Sequence, residues 1–522
     1  MTIDLIKEQV NLNELTMSTS SVIMVDGDVI VPDVKPDIKE ILVAEAVANI
    51  TKKELSKGKL SVSGAVLIKI LYAPETDSET SAKIKNMSAK FEFYDSIDCP
   101  LADSFASVQA LAEHIELSVI NSRKINMKIA VAIKVCGYAN KSLSLCTNVS
   151  EDCGLEYRMK NLSLFNSVAD VEKNLIIAEA IEVPPSKPEI DEILKMSIRA
   201  IKNDCKVMNN KVMIRGILNV STLYSAMADE YSLVNVEHEI PFTEILDIEG
   251  ATEDCVCNVI YDVKDVSYMA KADLNGEQRL IALEAELVAC VSLSHSAEIN
   301  VLEDCYSPKA STHLAKETLH LNELINEGIS MLSVKEMMSV PEEMPSVDAV
   351  YNIDIKPVIT ETMISDSKLY IKGNAAVFLL YVSEGCEVPL TALVNEYPFE
   401  QVISLDSCKD EHIEDAKVSV LSAGFTLSSQ SEVEIRYTLE FYTRVLCPYN
   451  VEVVCGCEVA DDTENEKVKL MPSLIIYFVQ PGDTMWEIAK KYKTTFAKIM
   501  SANKIDDANK IFAGQKLLIP RV

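Results

Sequence analysis

Residues 31–42 read Val-Pro-Asp-Val-Lys-Pro-Asp-Ile-Lys-Glu-Ile-Leu, and this segment decides how the rest of the chain is divided. It returns at residues 183–194 as Val-Pro-Pro-Ser-Lys-Pro-Glu-Ile-Asp-Glu-Ile-Leu, an offset of 152 residues. A weaker copy begins at Val340, 157 residues further on, with Pro345 in place. A period close to the size of a domain predicts three tandem domains and argues against a solenoid of short repeats.

Three further motifs recur with the same offsets. Lys-x-x-x-x-Gly, followed eight residues later by Tyr, occurs at residues 59–72, 211–224 and 368–381. Leu-Asn-Glu-Leu at residues 12–15 returns at 321–324, and Glu-Ile-Pro-Phe at 239–242 returns as Glu-Tyr-Pro-Phe at 396–399. Because separate landmarks agree in register, we divide the chain into repeats at residues 8–156, 157–306 and 307–460.

Each repeat has the alternation of a β protein. Apolar residues occupy alternate positions from Leu60 to Tyr72, and the equivalent stretches do the same, which predicts a long strand with one buried face. The glycine inside each strand, such as Gly64, predicts a bulge or a close backbone approach. Later apolar runs predict hairpin strands that pack on the first sheet. The expected fold is mainly β: three tandem, sandwich-like repeat domains that form a rod.

The proline-rich segment allows two interpretations. Proline removes a backbone donor and favours extended geometry before it, so we expect a lead-in to the sheet, with a short helix started by the residues after it. The segment is then either a structural clasp or a docking surface formed by Asp33, Lys35 and Asp37. One sequence does not separate the two.

Charge and hydropathy exclude several classes of partner. The formal net charge of −31 would repel a phosphate backbone or an anionic membrane surface, so nucleic acid is a poor partner. No stretch reaches the ~20 apolar residues of a membrane-spanning helix, and residues 1–8 lack a basic segment followed by an apolar one. We expect a cytoplasmic protein without direct membrane insertion, whose fourteen cysteines are mainly buried, reduced thiols.

The proline segment and the Lys-x-x-Val-x-Gly strand that follows it resemble the SPOCS domain of endospore-forming bacteria. The resemblance covers roughly residues 8–460 as three copies. The third copy departs most from the pattern, because it has Glu342 and Ser346 where the first has Asp33 and Asp37. If the segment binds a partner, the third copy would have lost that function.

The end of the chain is a separate module with the opposite charge. After an acidic linker, residues 461–473, the chain from residue 471 to 522 contains eight Lys or Arg and four Asp or Glu. Its pattern predicts strand, helix, helix, strand, with a turn at Pro481-Gly482, a first cap at Asp483 or Thr484 and a second at Thr494 or Thr495. We therefore expect a small βααβ domain over residues 474–522.

This module resembles a LysM domain, with Gly-Asp-Thr at residues 482–484 and Leu-x-Ile-Pro at 517–520. The resemblance implies a shallow groove for N-acetylglucosamine-containing glycans such as peptidoglycan, or for a protein partner. The matching positions are Gly482, Asp483, Thr484, Met485, Lys504, Ile505 and Asp506. Trp486, the only tryptophan, has Lys490 and Lys493 on the same side of its helix. It either packs on the module's own strands or forms an exposed partner-binding face with a basic rim.

No catalytic motif is apparent. The chain has no phosphate-binding loop, nucleophile elbow or dinucleotide glycine fingerprint, and its six histidines are sparse. His313, Glu317 and His320 would share a face if residues 311–324 were helical, but we interpret them as a solvated surface. We expect no enzyme activity, no cofactor and no metal site.

Three SPOCS-like copies followed by a LysM-like module resemble the SipL type of spore-coat morphogenetic protein, with SpoVID as a looser relative. This resemblance implies a scaffold in the mother-cell cytoplasm, at the forespore surface and spore coat. Its LysM module would bind a SpoIVA-type ATP-hydrolysing coat basement-layer protein, and its repeats would recruit other coat components. The alternative is a peptidoglycan-binding protein of the cell wall or spore cortex.

Overall fold

The structure is a computed structural model that describes residues 3–75, 83–100, 105–150, 154–227, 232–383, 388, 390–405, 412–460, 473–507 and 511–520. Within these ranges, the part of the chain up to residue 460 contains three units of six long strands each. The first unit comprises β1 (Leu5–Ile30), β2 (Ile38–Ser56), β3 (Lys59–Pro74), β4 (Lys85–Asp98), β5 (Phe105–Asn121) and β6 (Lys124–Val149). The second comprises β7 (Glu156–Glu182), β8 (Ile190–Met208), β9 (Lys211–Ala226), β10 (Leu233–Asp247), β11 (Val256–Ala272) and β12 (Gln278–Tyr306). The third comprises β13 (Thr312–Ser339), β14 (Ala349–Ser365), β15 (Lys368–Val382), β16 (Leu390–Ser404), β17 (Ile413–Ser429) and β18 (Glu432–Val459).

Each unit is a sandwich of two antiparallel, three-stranded sheets. In the first unit one sheet has the order β1-β6-β5 and the other β2-β3-β4, and both later units repeat these orders. The alternating residues of the long third strand, such as Leu60, Val62 and Ile68, point into the core between the two sheets, where they are buried. The predicted mainly β, sandwich-like fold is confirmed.

In each unit a hydrogen bond joins the proline segment to the tyrosine near the end of the third strand. The hydroxyls of Tyr72 and Tyr381 donate to the carbonyls of Pro36 and Pro345 at 3.0 Å. The same bond joins Tyr224 to Pro188 at 2.9 Å. Because each tyrosine lies in the middle strand of its sheet, the bond fixes the lead-in segment against the sandwich core.

The charged residues of the first proline segment serve mainly as a clasp. Lys35 donates to the Asn86 side chain at 2.8 Å, and Asp37 accepts from Arg123 at 2.5 Å, whereas the side chain of Asp33 is fully exposed. The predicted helix after the prolines is wrong. Residues from Ile38 and Ile190 onward form β2 and β8, because pairing with β3 and β9 satisfies their backbone groups.

The strand glycines make room for an aromatic ring on the neighbouring strand. Gly64, Gly216 and Gly373 stand directly opposite phenylalanines in the ladders. A Cβ atom at Gly216 would lie 2.9 Å from the carbonyl oxygen of Ile201 and closer still to the Phe242 ring. The expected close approach at this position is therefore confirmed.

The three units surround a common axis and do not form a rod. Leu12, Leu164 and Leu321 occupy equivalent positions by the sequence offsets, and all three lie in one buried cluster. A second cluster joins the equivalent residues Leu71, Leu223 and Leu380 from the middle strands. The predicted rod is wrong because the first and last strands of every unit carry apolar residues that only the other two units cover.

Irregularities in the ladders follow the same threefold equivalence. The pairing of the first strand with the last skips one residue at Thr16, Val168 and Ile325 in the three units. The last strand skips one residue at Thr147, Glu303 and Cys455. Bulges kept at matching positions show that the units share one detailed geometry.

One layer of the axis is polar and buried. The guanidinium of Arg444 on β18 is 1% exposed, and its Nε lies 3.1 Å from Glu327 of the same unit. One of its terminal nitrogens lies 3.6 Å from Asp170 of the second unit. Asp170 also accepts from Ser167 and Ser292 at 2.6 and 2.5 Å. This layer therefore joins the second and third units by charge as well as by packing.

Most of the described cysteines are buried. The sulfur atoms of Cys205 on β8 and Cys257 on β11 are neighbours, and the nine other cysteines among the described residues are mostly buried. Burial raises the pKa of Cys136 and of Cys290 to about 12, which keeps both as unreactive thiols.

Arg444→Met tests whether the units form one body. Removing the guanidinium leaves two buried carboxylates without their cation, so we expect a loss of about 3–5 kcal/mol in the free energy of unfolding. The midpoint of urea unfolding measures this loss. Arg436→Met is the matched control, because Arg436 is 65% exposed and its removal should shift the midpoint little. Equal shifts for the two variants would contradict the buried ionic layer.

Candidate functional site: the LysM-like module and its seat on the second unit

The module has the predicted βααβ order. It consists of β19 (Leu474–Phe478), α1 (Met485–Lys491), α2 (Phe496–Asn503) and β20 (Lys516–Pro520), and β19 pairs antiparallel with β20. Its core contains Val479, Met485, Ile488, Ile499 and Leu517. Residues 461–472 of the predicted linker lie outside the described residues.

The first predicted groove loop is held by local hydrogen bonds. Gly482 has φ of 92°, which a residue with a side chain rarely adopts. Asp483 accepts from the Tyr477 hydroxyl at 2.6 Å and from the Gln480 amide at 2.7 Å. The bond from Tyr477 lowers the pKa of Asp483 and raises that of Tyr477 to about 12. Asp483 is therefore a positioning residue of the turn.

Thr484 begins α1 with a capping box. Its side chain accepts from the amide of Glu487, and the Glu487 carboxylate accepts from the amide of Thr484. This reciprocal pair satisfies two amides that the first helical turn leaves unpaired. Thr484 is exposed, whereas Met485 is buried, so only part of this loop can touch a ligand.

The second predicted groove loop begins where α2 ends. Lys504 caps the helix in the left-handed conformation, with φ of 55°. Lys504 and Asp506 are exposed, and Ile505 packs on the same apolar cluster that contains Met485. Met485 of the first loop and Ile505 of the second thus contact the same module core, and the exposed residues of both loops face solvent.

Trp486, Lys490 and Lys493, which we call the indole face, are not exposed as a free surface. The Trp486 indole donates to the Asp304 carboxylate at 2.7 Å, and Lys490 contacts both oxygens of that carboxylate at 2.6 and 2.8 Å. Lys493 donates to the Ser311 hydroxyl at 3.0 Å. Of the two alternatives for Trp486, the freely exposed aromatic is not what the structure has: the indole packs on the module's own core and is covered by the second unit. A partner-binding role for this face stays a prediction.

The surface that receives the indole face consists of Arg158, Asp304, Tyr306 and Ser311, and we call it the Asp304 socket. The rings of Tyr306 and Trp486 meet edge to face at 5.1 Å, and the Arg158 guanidinium lies 5.6 Å from the Trp486 ring. The Tyr306 hydroxyl donates to the Thr494 carbonyl at 2.7 Å. The module therefore shares an apolar cluster with the end of β12. The packing of Trp486 thus extends beyond the module's own strands to the second unit.

Electrostatics stabilise the ionised form of Asp304. Burial alone would raise the pKa of this carboxyl, but hydrogen bonds from Lys490 and Trp486 outweigh burial and lower it. Sequence reasoning missed the socket. The equivalent positions in the other units are Asn148 and Gly456, so the repeat pattern gives no signal at Asp304.

The histidine-containing segment is a strand and not a helix. His313, Glu317 and His320 lie on β13, where His313 and His320 fall on opposite faces by the alternation of side chains. Across the described ranges, no group of three or more His, Cys, Asp or Glu residues is arranged to hold a metal ion. In the same ranges, no helix is both long enough and apolar enough to cross a membrane.

Asn503→Ala tests how the module is held together. The Asn503 amide donates to the carbonyls of Ile499 and Leu518 at 2.8 and 2.6 Å and accepts from the Leu518 amide at 2.7 Å. Losing these bonds should destabilise the module by about 2 kcal/mol. Thermal unfolding followed by Trp486 fluorescence measures this, with the exposed Ser501→Ala as the control. An unchanged midpoint for Asn503→Ala would contradict the role of this side chain.

Comparison with protein-family models gives matches to both parts of the chain. The model described as SipL, SPOCS domain, matches residues 37–120, 189–271 and 346–427. Each match covers nearly all of the second to fifth strands of a unit and omits the first and sixth. The LysM domain model matches residues 477–520. No solved structure matches the chain.

Neither SPOCS nor LysM is an enzyme family. The combination supports a sporulation-related protein with a peptidoglycan-binding module. The chain therefore carries three SPOCS domains of the SipL type, followed by a LysM domain.

Proposed function

We propose that this protein is a non-enzymatic scaffold of spore-coat assembly that works in the mother cell at the forespore surface. Its LysM domain binds a SpoIVA-type coat basement-layer protein, and its SPOCS domains recruit other coat components. The observation that carries the proposal is the combination of three SPOCS domains with one LysM domain of opposite charge.

The arrangement of the repeats supports a recruiting role. Three units around one axis present three similar outer surfaces, so one chain can hold several copies of a partner at once. Several weak contacts made together give a much higher overall affinity than one alone. A rigid body also spares each partner the entropic cost of ordering the scaffold.

Charge supports a role for the LysM domain in binding a macromolecule. Residues 471–522 have a net charge of +4, since eight basic residues oppose four acidic ones. The first 470 residues have 41 basic and 76 acidic residues, a net charge of −35. An acidic partner would therefore be repelled by the repeats and attracted by the module, which orients the complex.

The second candidate is a peptidoglycan-binding protein of the cell wall or cortex. It is favoured by the exposure of Gly482, Thr484, Lys504 and Asp506 on the two loops that the LysM resemblance assigns to glycan. Exposed amides and small side chains suit acetamido groups, which need one donor and one acceptor. The two candidates differ in which surface of the module is used.

Trp486→Ala tests the protein partner. We expect capture of the purified SpoIVA-type protein by the full chain to fall at least about tenfold, because an aromatic anchor with flanking lysines is typical of a binding hot spot. Phe512→Ala is the control, since Phe512 is also an aromatic of the module and is 70% exposed. Capture that survives Trp486→Ala, with the far-ultraviolet spectrum unchanged, would contradict the proposed partner-binding face.

Thr484→Asp tests the glycan alternative. Aspartate keeps the capping oxygen but places a charge in the loop, so saturable sedimentation of the full chain with purified peptidoglycan should be lost if the groove binds glycan. Thr495→Asp is the control, because it makes the same change at the cap of α2. The Thr495 side chain likewise accepts a hydrogen bond from a backbone amide, that of Lys498. Equal sedimentation of the two variants would count against a glycan groove at Thr484.

A further inference from the structure

The contact between the LysM domain and the Asp304 socket has the features of a specific interface. The Asp304 carboxylate is buried and receives three hydrogen bonds from two side chains of the module. Tyr306 is 2% exposed and lies in the module's own core cluster. A buried carboxylate that lost these donors would be left with an uncompensated charge, so the interface holds the module firmly.

The two central residues of the socket, Asp304 and Tyr306, have no counterpart in the other two units. Asn148 of the first unit and Gly456 of the third stand at the positions equivalent to Asp304, and neither offers a carboxylate. Ser150 and Glu458 stand where the second unit has Tyr306. The threefold equivalence of the fold therefore breaks at the place where the single LysM domain sits.

The interface covers the same side chains that our proposed function assigns to the partner. Trp486 and Lys490 cannot contact Asp304 and another protein at the same time. The connection between the body and the module comprises residues 461–473, and a chain of this length spans at most about 45 Å. A released module would therefore stay close to the socket, so that recapture competes with the partner.

We propose that the Asp304 socket is an intrachain latch that masks the indole face, and that a partner must displace the latch to use this face. The masking rests on the proposed partner-binding role of Trp486, whereas the latch itself rests only on the observed contacts. A latch that leaves one molecule in ten open raises the partner's apparent Kd about tenfold.

Asp304→Ala tests the latch directly in the full chain. Because Trp486 is the only tryptophan, its emission and its quenching by acrylamide report on the contact without any ligand. We expect a red shift and stronger quenching for Asp304→Ala, and also for the more conservative Asp304→Asn. Glu458→Ala is the control, since it removes one acidic residue from the end of the third unit. Unchanged emission and quenching in both Asp304 variants would overturn the latch.

A charge exchange and a capture assay complete the test. Asp304→Lys combined with Lys490→Asp should restore part of the protection of Trp486 from acrylamide that either change alone removes.

Capture of the purified SpoIVA-type protein should rise several-fold with Asp304→Ala. A fluorescence change without a rise in capture would overturn the masking, whereas loss of capture in Trp486→Ala alone tests the proposed function. A light-scattering mass of two chains for the unmodified protein that returns to one chain in Asp304→Ala would show an exchanged module and overturn the intrachain form.

Discussion

The structure depends on the burial of apolar residues at the far ends of the first and last strands of each unit. These strands run for 26 to 29 residues, longer than the strands of the partner sheet, so their ends extend past the sandwich core. A lone pair of strands with an apolar face is unstable in water. Leu12, Leu164 and Leu321 meet in one cluster because three such pairs can bury each other. In this structure the strand ends of each unit are therefore buried against those of the other two.

The LysM domain packs at a place where the three units differ. Asp304 sits at a position occupied by asparagine in one unit and glycine in another, and it binds the indole and a lysine of the module. The acidic body and the basic module attract each other at long range. Contacts in the Asp304 socket then fix the position of the module on the body. The same geometry places the exposed loop residues Thr484 and Lys504 in solvent, so that one module surface is occupied and another is open.

Local and periodic features of the sequence predicted much of this fold. Alternation along residues 60–72 predicted the strand, the glycine at position 64 predicted a bulge or a close backbone approach, and the candidate capping residues predicted where both helices of the module begin. Contacts between units left no such signal. The rod was wrong because nothing in the local pattern of Leu12 tells whether a neighbouring unit or solvent covers it. The helix after Pro36 was wrong because sheet pairing overrode local propensity. The contact between Trp486 and Asp304 was missed because Asp304 lies 182 residues away in the sequence and outside the repeated motifs.

The central claim is that three SPOCS domains and the LysM domain pack as one compact body around a shared axis. Small-angle X-ray scattering of the full chain tests this most directly, because it reports the overall dimensions in solution. A compact chain of this length has a radius of gyration of about 24 Å. The account predicts a value close to that figure. A value above about 30 Å, as expected for three domains of this size in an extended row, would contradict it.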